Sequence, residues 1–482
     1  MDAIGSDRRH AGTGETAGAG VTDPITETDL LAIAGPGSVV SGEDLRSRDP
    51  GYFMSSIDAR LLVRPSTTEQ VSQILALCNE RRQPVVVHGG VSGWVRATQT
   101  RPEEIILSME RMNAIERIDV ENRSAVVQAG VILQTFQEAV EEQGLCFPLD
   151  LGGRGSCQLG GNASTNAGGM RVLRYGMMRE QVLGVEAVLA DGRIVSSMNS
   201  MLKNNTGFDL KQLFIGSEGT LGVITRLVLR LRESPVSCNT AMVAVKDMAT
   251  VARLLRRVDA GLGGQLSAFE LIDSDFFGVN TGDERLRSPF AEPSPFYVIV
   301  ESLGADQERD AEIFESVLSD ALETGLVSDA VIAGSERERG ELWAIRETLE
   351  HVVSDFTPFY AFDVSLTVGE MDGYMREVRA QLAQAFPDGR IAFLGHVGDG
   401  NLHIAIGAGG PDDRHAVESC VYKPLAAIGG SISAEHGIGL EKKPWLRISR
   451  NDVEIGLMLQ LKDLFDPRGI LNPGKILDRE AN

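Results

Sequence analysis

Histidines are scarce in this chain, and four of the seven fall between residues 396 and 436. The segment GHVGDGNLHI (395–404) carries His396 and His403 on either side of a Gly-Asp-Gly turn, and SAEHGIG (433–439) adds Glu435 and His436. A turn of that kind folds the chain back, so both imidazoles can face one point. Two neutral imidazoles with one carboxylate make a common first shell for Zn2+, Mn2+ or Fe2+ that leaves positions open for substrate. Residue types alone leave two other readings: histidines that share no ion, and a hydrolase whose metal activates water. The hydrolase leaves three glycine-rich loops elsewhere in the chain without a use.

The longest of these is Pro148–Gly169, PLDLGGRGSCQLGGNASTNAGG. It shows almost no helical or strand periodicity. A long loop inside a compact domain is either functional or disordered, and apolar, strand-like sequence on both sides argues against disorder. Apart from a plain connector, the reading is a backbone that comes very close to something, which glycine permits. Ser156, Asn162, Ser164, Thr165 and Asn166 add donors and acceptors. Such a loop suits a cofactor pyrophosphate or ring edge. His88-Gly89-Gly90-Val91-Ser92-Gly93 follows the apolar run Val85-Val86-Val87 and fits a strand leading into a phosphate cradle, although it matches neither standard nucleotide fingerprint. The third loop, FIGSEGTLGVITRLVLRL (214–231), runs into a strand of alternating Val, Ile and Leu. Their clustering predicts one α+β domain devoted to a large cofactor.

The elements that would hold these loops are readable in part. Ser66 or Thr67 caps a helix, with Glu69 near the capping-box position and Val71, Ile74, Leu75 and Leu77 as its apolar face. Residues 133–142 predict another helix, and LGVEAVLADGRIV (183–195) a hairpin turning at Asp191-Gly192. After Pro235 strands and helices alternate again, predicting a second α+β domain over 236–440. Residues 452–477 predict an amphipathic helix stopped at Asp466-Pro467, then a Pro/Gly-pinned coil.

Composition narrows the partners. The chain has 482 residues, 43% of them hydrophobic, and 46 basic against 68 acidic side chains for a net charge of −22. That balance argues against nucleic acid or an anionic membrane as the main partner. The five cysteines, Cys78, Cys146, Cys157, Cys238 and Cys420, show no metal or redox spacing and predict a reducing compartment. No apolar run is long enough to span a membrane. The first 23 residues are polar, lack the apolar centre of a secretory signal and predict a disordered tail.

Taken together, PLDLGGRGSCQLGGNASTNAGG, NNTGFDLKQLFIGSEGTLGVIT (204–225), GHVGDGNLHI, SAEHGIG and FDPRGILNPGKIL resemble the FAD-linked D-2-hydroxyacid dehydrogenases among the vanillyl-alcohol-oxidase-type flavoproteins. The likeness runs from about Ser55 to Leu477. It is nearest to D-2-hydroxyglutarate dehydrogenases, with D-lactate and glycolate dehydrogenases further off. The resemblance implies an α+β fold, with a two-lobed FAD-binding domain of the p-cresol-methylhydroxylase type and an α+β substrate cap. On that basis residues 1–25 are tail, 26–235 the FAD domain, 236–440 the cap carrying the metal, and 441–482 a helix and coil returning to the FAD domain. His88, Gly89, Gly90, Val91, Ser92, Gly93 and Trp94 would follow the pyrophosphate. Pro148, Leu149, Gly152, Ser156, Gly160, Gly161, Asn162, Thr165, Asn166 and Gly168 would surround the rest of FAD. Glu218, Gly222, Val223 and Ile224 would join them, with Asn472 near the flavin. His396, His403 and Glu435 match metal ligands, with zinc first and manganese or iron as alternatives. His436 matches the catalytic base, Arg346 the arginine on the substrate carboxylate, and Asn401 a site-lining asparagine.

The implied reaction removes the hydroxyl proton of a D-2-hydroxy acid and sends a hydride to flavin N5. Electrons would leave through an electron-transfer flavoprotein or a quinone. The location would be cytoplasmic, or the mitochondrial matrix in a eukaryote, and a homodimer is compatible. Covalent relatives carry a histidine where Ser92 stands, so FAD is expected to be non-covalent. Hydroxyglutarate dehydrogenases read a second carboxylate with a threonine, a lysine and an asparagine at positions that hold Glu350, Ala361 and Ala405 here. With Phe356, Phe359, Tyr360 and Phe362 nearby, an apolar or aromatic substrate side chain is expected over a second carboxylate.

Overall fold

The computed structural model of the chain describes residues 23–51, 57–282 and 285–479. The expected tail therefore lies almost wholly outside the described residues, and Ile25 at its end is fully buried. In the N-terminal half, Leu61–Val63, Ile105–Ser108 and Val85–His88 run parallel, with Val39–Ser41 antiparallel at the edge. The helix Thr68–Glu80 begins at Thr67, whose hydroxyl accepts from Gln70 N. Gln70, not Glu69, completes the cap by accepting from Ser66 N at 2.7 Å. Val71, Ile74 and Leu75 bury their face against the same core.

A five-stranded antiparallel sheet follows, in the order Ile115–Asp119, Ser124–Gln128, Val223–Arg230, Val182–Val188, Ile194–Ser197. Its last hairpin turns at Asp191-Gly192, with Gly192 at φ +87°. The glycine-rich stretch differs from expectation, because Leu159–Thr165 forms a helix ended by Asn166 in the left-handed conformation. Packing makes this helix where propensity does not: a Cβ on Gly160 would stand 2.5 Å from the Ala129 Cβ, so only glycine lets the turn lie on the strand.

The cap is built on seven antiparallel strands, ordered Asp329–Ile332, Ser237–Val245, Phe296–Gly304, Leu266–Asp273, Arg390–His396, Asn401–Gly407, Phe359–Ser365. The helices Met248–Leu262, Gln307–Glu323 and Val368–Ala385 cover one face, burying Phe269, Leu271, Phe393 and Ile404. The other face is apolar at one end, around Ile272, Leu394 and Ala405. Its remaining positions carry the site.

The C-terminal helix Asp452–Phe465 starts at an Asn451/Glu454 capping box. Lys462 is its one buried residue; the ammonium donates to Asp466 Oδ2, Thr220 O and Leu471 O. The following coil then pairs with Val85–His88: Val85 N donates to Ile470 O at 2.7 Å and Asn472 N to Val85 O at 2.8 Å. Ile470 and Leu471 thus join the core that otherwise runs from Ile25 to Leu231. Among the described residues, no helix is long and apolar enough to cross a membrane.

Candidate flavin and metal site

Strand pairing brings the polar groups of the cap together. Glu270 lies opposite His396, His403 opposite both Leu394 and Asp363, and Ala405 opposite Ala361. Side chains alternate along a strand, so Glu270, His396, His403 and Asp363 project from one face of the sheet. The loop carrying Glu435 and His436 closes over them. His403 Nε2 is 3.5 Å, His436 Nε2 3.6 Å and His396 Nε2 4.0 Å from Glu435 Oε1. One ligand atom each of His396, His403 and Glu435 falls within 4.8 Å of the others. Trp94, from the N-terminal half, stacks on His436 with centroids 5.4 Å apart, and His403 lies on its other side at 5.8 Å.

Two buried carboxylates that the sequence reading did not single out organise this cluster. Glu270 accepts from His396 Nδ1 at 2.7 Å with one oxygen and from Arg346 Nε at 3.1 Å with the other. Asp363 Oδ2 accepts from the backbone N–H groups of Ala434, Glu435 and His436 and from Lys442 Nζ. It also lies 3.7 Å from His436 Nδ1. The available signal was a lone acid in each of two apolar strand segments, AFELI and YAFDVSL.

The charges follow from burial. Burial pushes Glu435 up to about 7, opposed by His396. Burial lowers His403 well below its ordinary range, with His396 adding to the effect. At His396 burial is overridden by the Glu270 carboxylate, and the imidazole rises to about 9. His436 is pushed down to about 4 by burial, against the pull of Asp363. Asp363 is held well below the carboxylate range despite burial, mainly by Lys442. The carboxylate and the Nε2 atoms of His396 and His403 are a donor set that fits a divalent cation, which would take the place of the proton on His396 Nε2.

The cofactor loops face the same region from the other half. A Cβ on Gly90 would meet Ser156 O at 2.0 Å, so the 88–94 and 156–161 loops are pressed together, whereas Gly93, Gly152 and Gly161 open onto space. Gln158 Oε1 and Asn162 Oδ1 are buried without a hydrogen-bond partner beside that space. Val91, Asn166, Glu218 and Asn472 hold φ between +41° and +54°, strain that clusters at ligand clamps. This open, glycine-lined cradle with unsatisfied amides fits FAD.

Other expected cofactor residues have protein partners. His88 Nε2 donates to Thr98 O at 2.9 Å, and Asn166 Oδ1 accepts from Arg179 N. Asn472 bridges Val87 N and Glu218 O. Gly222 packs against the Phe214 ring, and Val223 and Ile224 are buried at the start of their strand. Gly168 abuts the metal set, since a Cβ there would lie 3.1 Å from Glu435 Oε2. Pro148 and Leu149 are buried, Ser156 is exposed, and Thr165 Oγ1 donates to Gly161 O.

On the substrate side, Arg346 is buried and Asn401 Oδ1 is buried without a partner. Ala361 and His436 touch a cavity of about 30 Å3 that also meets Trp94, Arg96 and Arg414. Glu441 pairs with both arginines. Glu350 is exposed on the helix Glu350–Asp355, and Phe356 belongs to the core under the Arg390 guanidinium.

Known proteins share this arrangement. The description "FAD binding domain" matches residues 59–197, and "FAD linked oxidases, C-terminal domain" matches residues 234–476. A mitochondrial D-2-hydroxyglutarate dehydrogenase of Bos taurus is 40% identical over 463 residues, covering 95% of this chain and 85% of that protein. The chain belongs to the FAD-linked D-2-hydroxyacid dehydrogenases. The D-2-hydroxyglutarate dehydrogenase of Stutzerimonas stutzeri (strain A1501) is 35% identical, over 95% of this chain and 99% of that one. The crystal structure of p-cresol methylhydroxylase with substrate bound shares the fold, with a TM-score of 0.74 over 94% of this chain and 97% of that one at 16% identity. The fold is thus the expected p-cresol-methylhydroxylase type, and the protein is an FAD-dependent oxidoreductase acting on a 2-hydroxy acid.

Proposed function

We propose that the chain oxidises a D-2-hydroxy acid to the 2-oxo acid, using FAD and a divalent metal held by His396, His403 and Glu435. The observation that carries this reading is the convergence of those three ligand atoms beside His436 and Arg346. Bound FAD supplies the two-electron acceptor, and a divalent ion supplies positive charge that lowers the pKa of a nearby hydroxyl. Arg346 is fixed through Nε by Glu270, so its Nη groups form the fork that takes the substrate carboxylate. His436 is neutral at pH 7 because burial lowers it to about 4. Asp363 on the Nδ1 side leaves Nε2 as the atom that accepts the hydroxyl proton. Trp94 covers one face of the imidazole. Asn401 lines the same face with its unsatisfied amide oxygen.

The preferred side chain of the acid is apolar or aromatic. Ala361 and Ala405 put adjacent methyl groups on the rung next to His403, and Arg96 and Arg414 are already paired with two acids, Glu441 shared between them and Glu418 on Arg414. Glu350, expected to repel a second carboxylate, is exposed and does not line this cavity, so the preference rests on the alanines. A second reading, oxidation of D-2-hydroxyglutarate, is favoured by the names of the two relatives and by the two arginines at the cavity. Anaerobic bleaching near 450 nm with D-lactate, D-malate, D-mandelate, D-2-hydroxyisocaproate and D-2-hydroxyglutarate separates the two. Fastest bleaching by D-2-hydroxyglutarate would refute the apolar preference, and bleaching by none of them the reaction itself.

FAD is held without a covalent bond, since His88 is buried and spent on Thr98; acid precipitation should leave the flavin in solution. An electron-transfer flavoprotein or a quinone takes the electrons, which reduction of either by the purified enzyme would test. The Bos taurus relative is mitochondrial by name, and the matrix or the cytoplasm is the location that fractionation should show.

A further inference from the structure

The loop Ser433–Gly439 carries Glu435 and His436 but has no helix or strand of its own to satisfy its amides. Two buried carboxylates do so from opposite sides. Asp363, on the cap sheet, takes the N–H groups of Ala434, Glu435 and His436 at 3.1, 3.1 and 3.0 Å. Glu218, from the flavin-binding half, takes Ile438 N at 2.7 Å through Oε1 and Gly439 N at 2.9 Å through Oε2. The backbone of Glu218 is equally committed: its N–H donates to Ser164 O at 2.7 Å, and its carbonyl accepts from Asn472 Nδ2 at 2.6 Å. One residue therefore joins the glycine-rich cofactor loop, the C-terminal coil and the catalytic loop of the cap.

The local geometry shows that this position is enforced. Glu218 is buried and holds φ +50°, a conformation a glutamate keeps only when its surroundings impose it. Gly437, also at positive φ, faces the carboxylate so closely that a Cβ would lie 2.8 Å from Glu218 Oε1. The resemblance to known flavoproteins implies that Glu218 contacts FAD; both of its carboxylate oxygens are taken by Ile438 N and Gly439 N.

We propose that Glu218 is a positioning residue that fastens the His436 loop of the cap to the flavin-binding domain and so sets the base relative to the flavin. This rests on the reaction proposed above and adds to it the element that registers its two halves. A carboxylate suits the task because its two oxygens accept from two separate N–H groups. Glutamine offers one acceptor and turns an NH2 toward the other amide.

The test compares Glu218→Gln and Gly437→Ala with the wild-type flavoprotein. The readouts are FAD per chain, the bleaching rate at saturating acid, the half-saturating acid concentration, and hydrogen exchange in residues 437–440. Both variants should keep their FAD and shift half-saturation less than about threefold. Their bleaching should slow by at least about tenfold, since small misplacements of a reacting group have effects of that size. Exchange at 437–440 should speed up. Loss of FAD in step with activity would make Glu218 a cofactor ligand and overturn the proposal, as would unchanged bleaching and exchange. If the wild type bleaches with no 2-hydroxy acid, the reaction reading fails and exchange alone decides the fastening, with unchanged protection overturning it. Should Glu218→Gln not fold, Gly437→Ala carries the comparison, because its Cβ displaces the carboxylate without removing it.

Discussion

Glu270 spans two functions with one side chain, accepting from Arg346 with one oxygen and from His396 with the other while fully buried. Both contacts are charge-assisted, and breaking a buried ion pair costs about 3–5 kcal/mol because a charge is left uncompensated. Glu270→Gln keeps the shape and removes the charge. Its amide NH2 must oppose either the Arg346 Nε–H or the His396 Nδ1–H. The expected result is a KM raised by about tenfold or more, together with metal lost during dialysis, read by titrating substrate and by elemental analysis. A variant with only one of the two defects would show that the residue serves one partner. His88 offers a pH prediction remote from the metal set. Burial lowers it to about 4, against its hydrogen bond to Thr98, while an unfolded histidine titrates near 6.5. Between these values the unfolded chain binds more protons, so stability is complete above pH 6.5 and falls as pH drops toward 4. The loss is about 2 kcal/mol by pH 5. In His88→Gln, which can still donate to Thr98, the urea midpoint should depend less steeply on pH between 6.5 and 5 than in the wild type.

Neighbouring glycines in the helix Leu159–Thr165 have opposite tasks, which only the packed element reveals. A Cβ on Gly160 would strike Ala129, whereas one on Gly161 meets nothing, on the side where the cofactor is proposed to lie. Gly160→Ala should therefore destabilise the fold by about 1–3 kcal/mol, the usual effect of overpacking, with FAD binding changed only as the fold weakens. Gly161→Ala should melt normally when stripped of flavin and bind FAD about tenfold more weakly. Thermal melts and flavin titration of the two variants check this, and equal effects in both assays would refute the division. The pair also shows what was readable from sequence. The stretch announced a close backbone approach through its composition, but whether glycine made room for a ligand or for Ala129 depends on which strand lies behind it. GHVGDGNLHI and SAEHGIG disclosed ligand-type residues because local spacing holds them together. Glu270 and Asp363 were hidden because their roles arise from strand pairing with residues 396 and 403, one of them more than a hundred positions away. Glu350, exposed on its helix, shows the same limit: a residue offset along the chain does not show which side of a helix faces the site.

Across the whole molecule the flavin cradle and the proposed metal set rest on different cores. The flavin cradle belongs to the cluster from Ile25 to Leu231, which the C-terminal coil completes through Ile470 and Leu471. Of the proposed metal ligands, His396 and His403 stand on the cap sheet, backed by the cluster around Phe393 and Ile404, and Glu435 on the loop that closes over it. The halves meet where Gly168 abuts Glu435, where Trp94 stacks on His436 and where Glu218 holds Ile438 and Gly439. These contacts align the sites without sharing ligands between them, so occupancy of one should not require the other. A strong chelator should therefore leave the protein yellow and its FAD content intact while bleaching by the best acid falls at least about a hundredfold, since general base catalysis by His436 retains only part of the rate. Zinc or manganese added back should restore it. Flavin-free protein should in turn still take up about one divalent ion per chain. If chelation instead released FAD, the cradle and the metal set would form one cooperative unit, and the contacts at Gly168, Trp94 and Glu218 would have to carry binding energy as well as alignment.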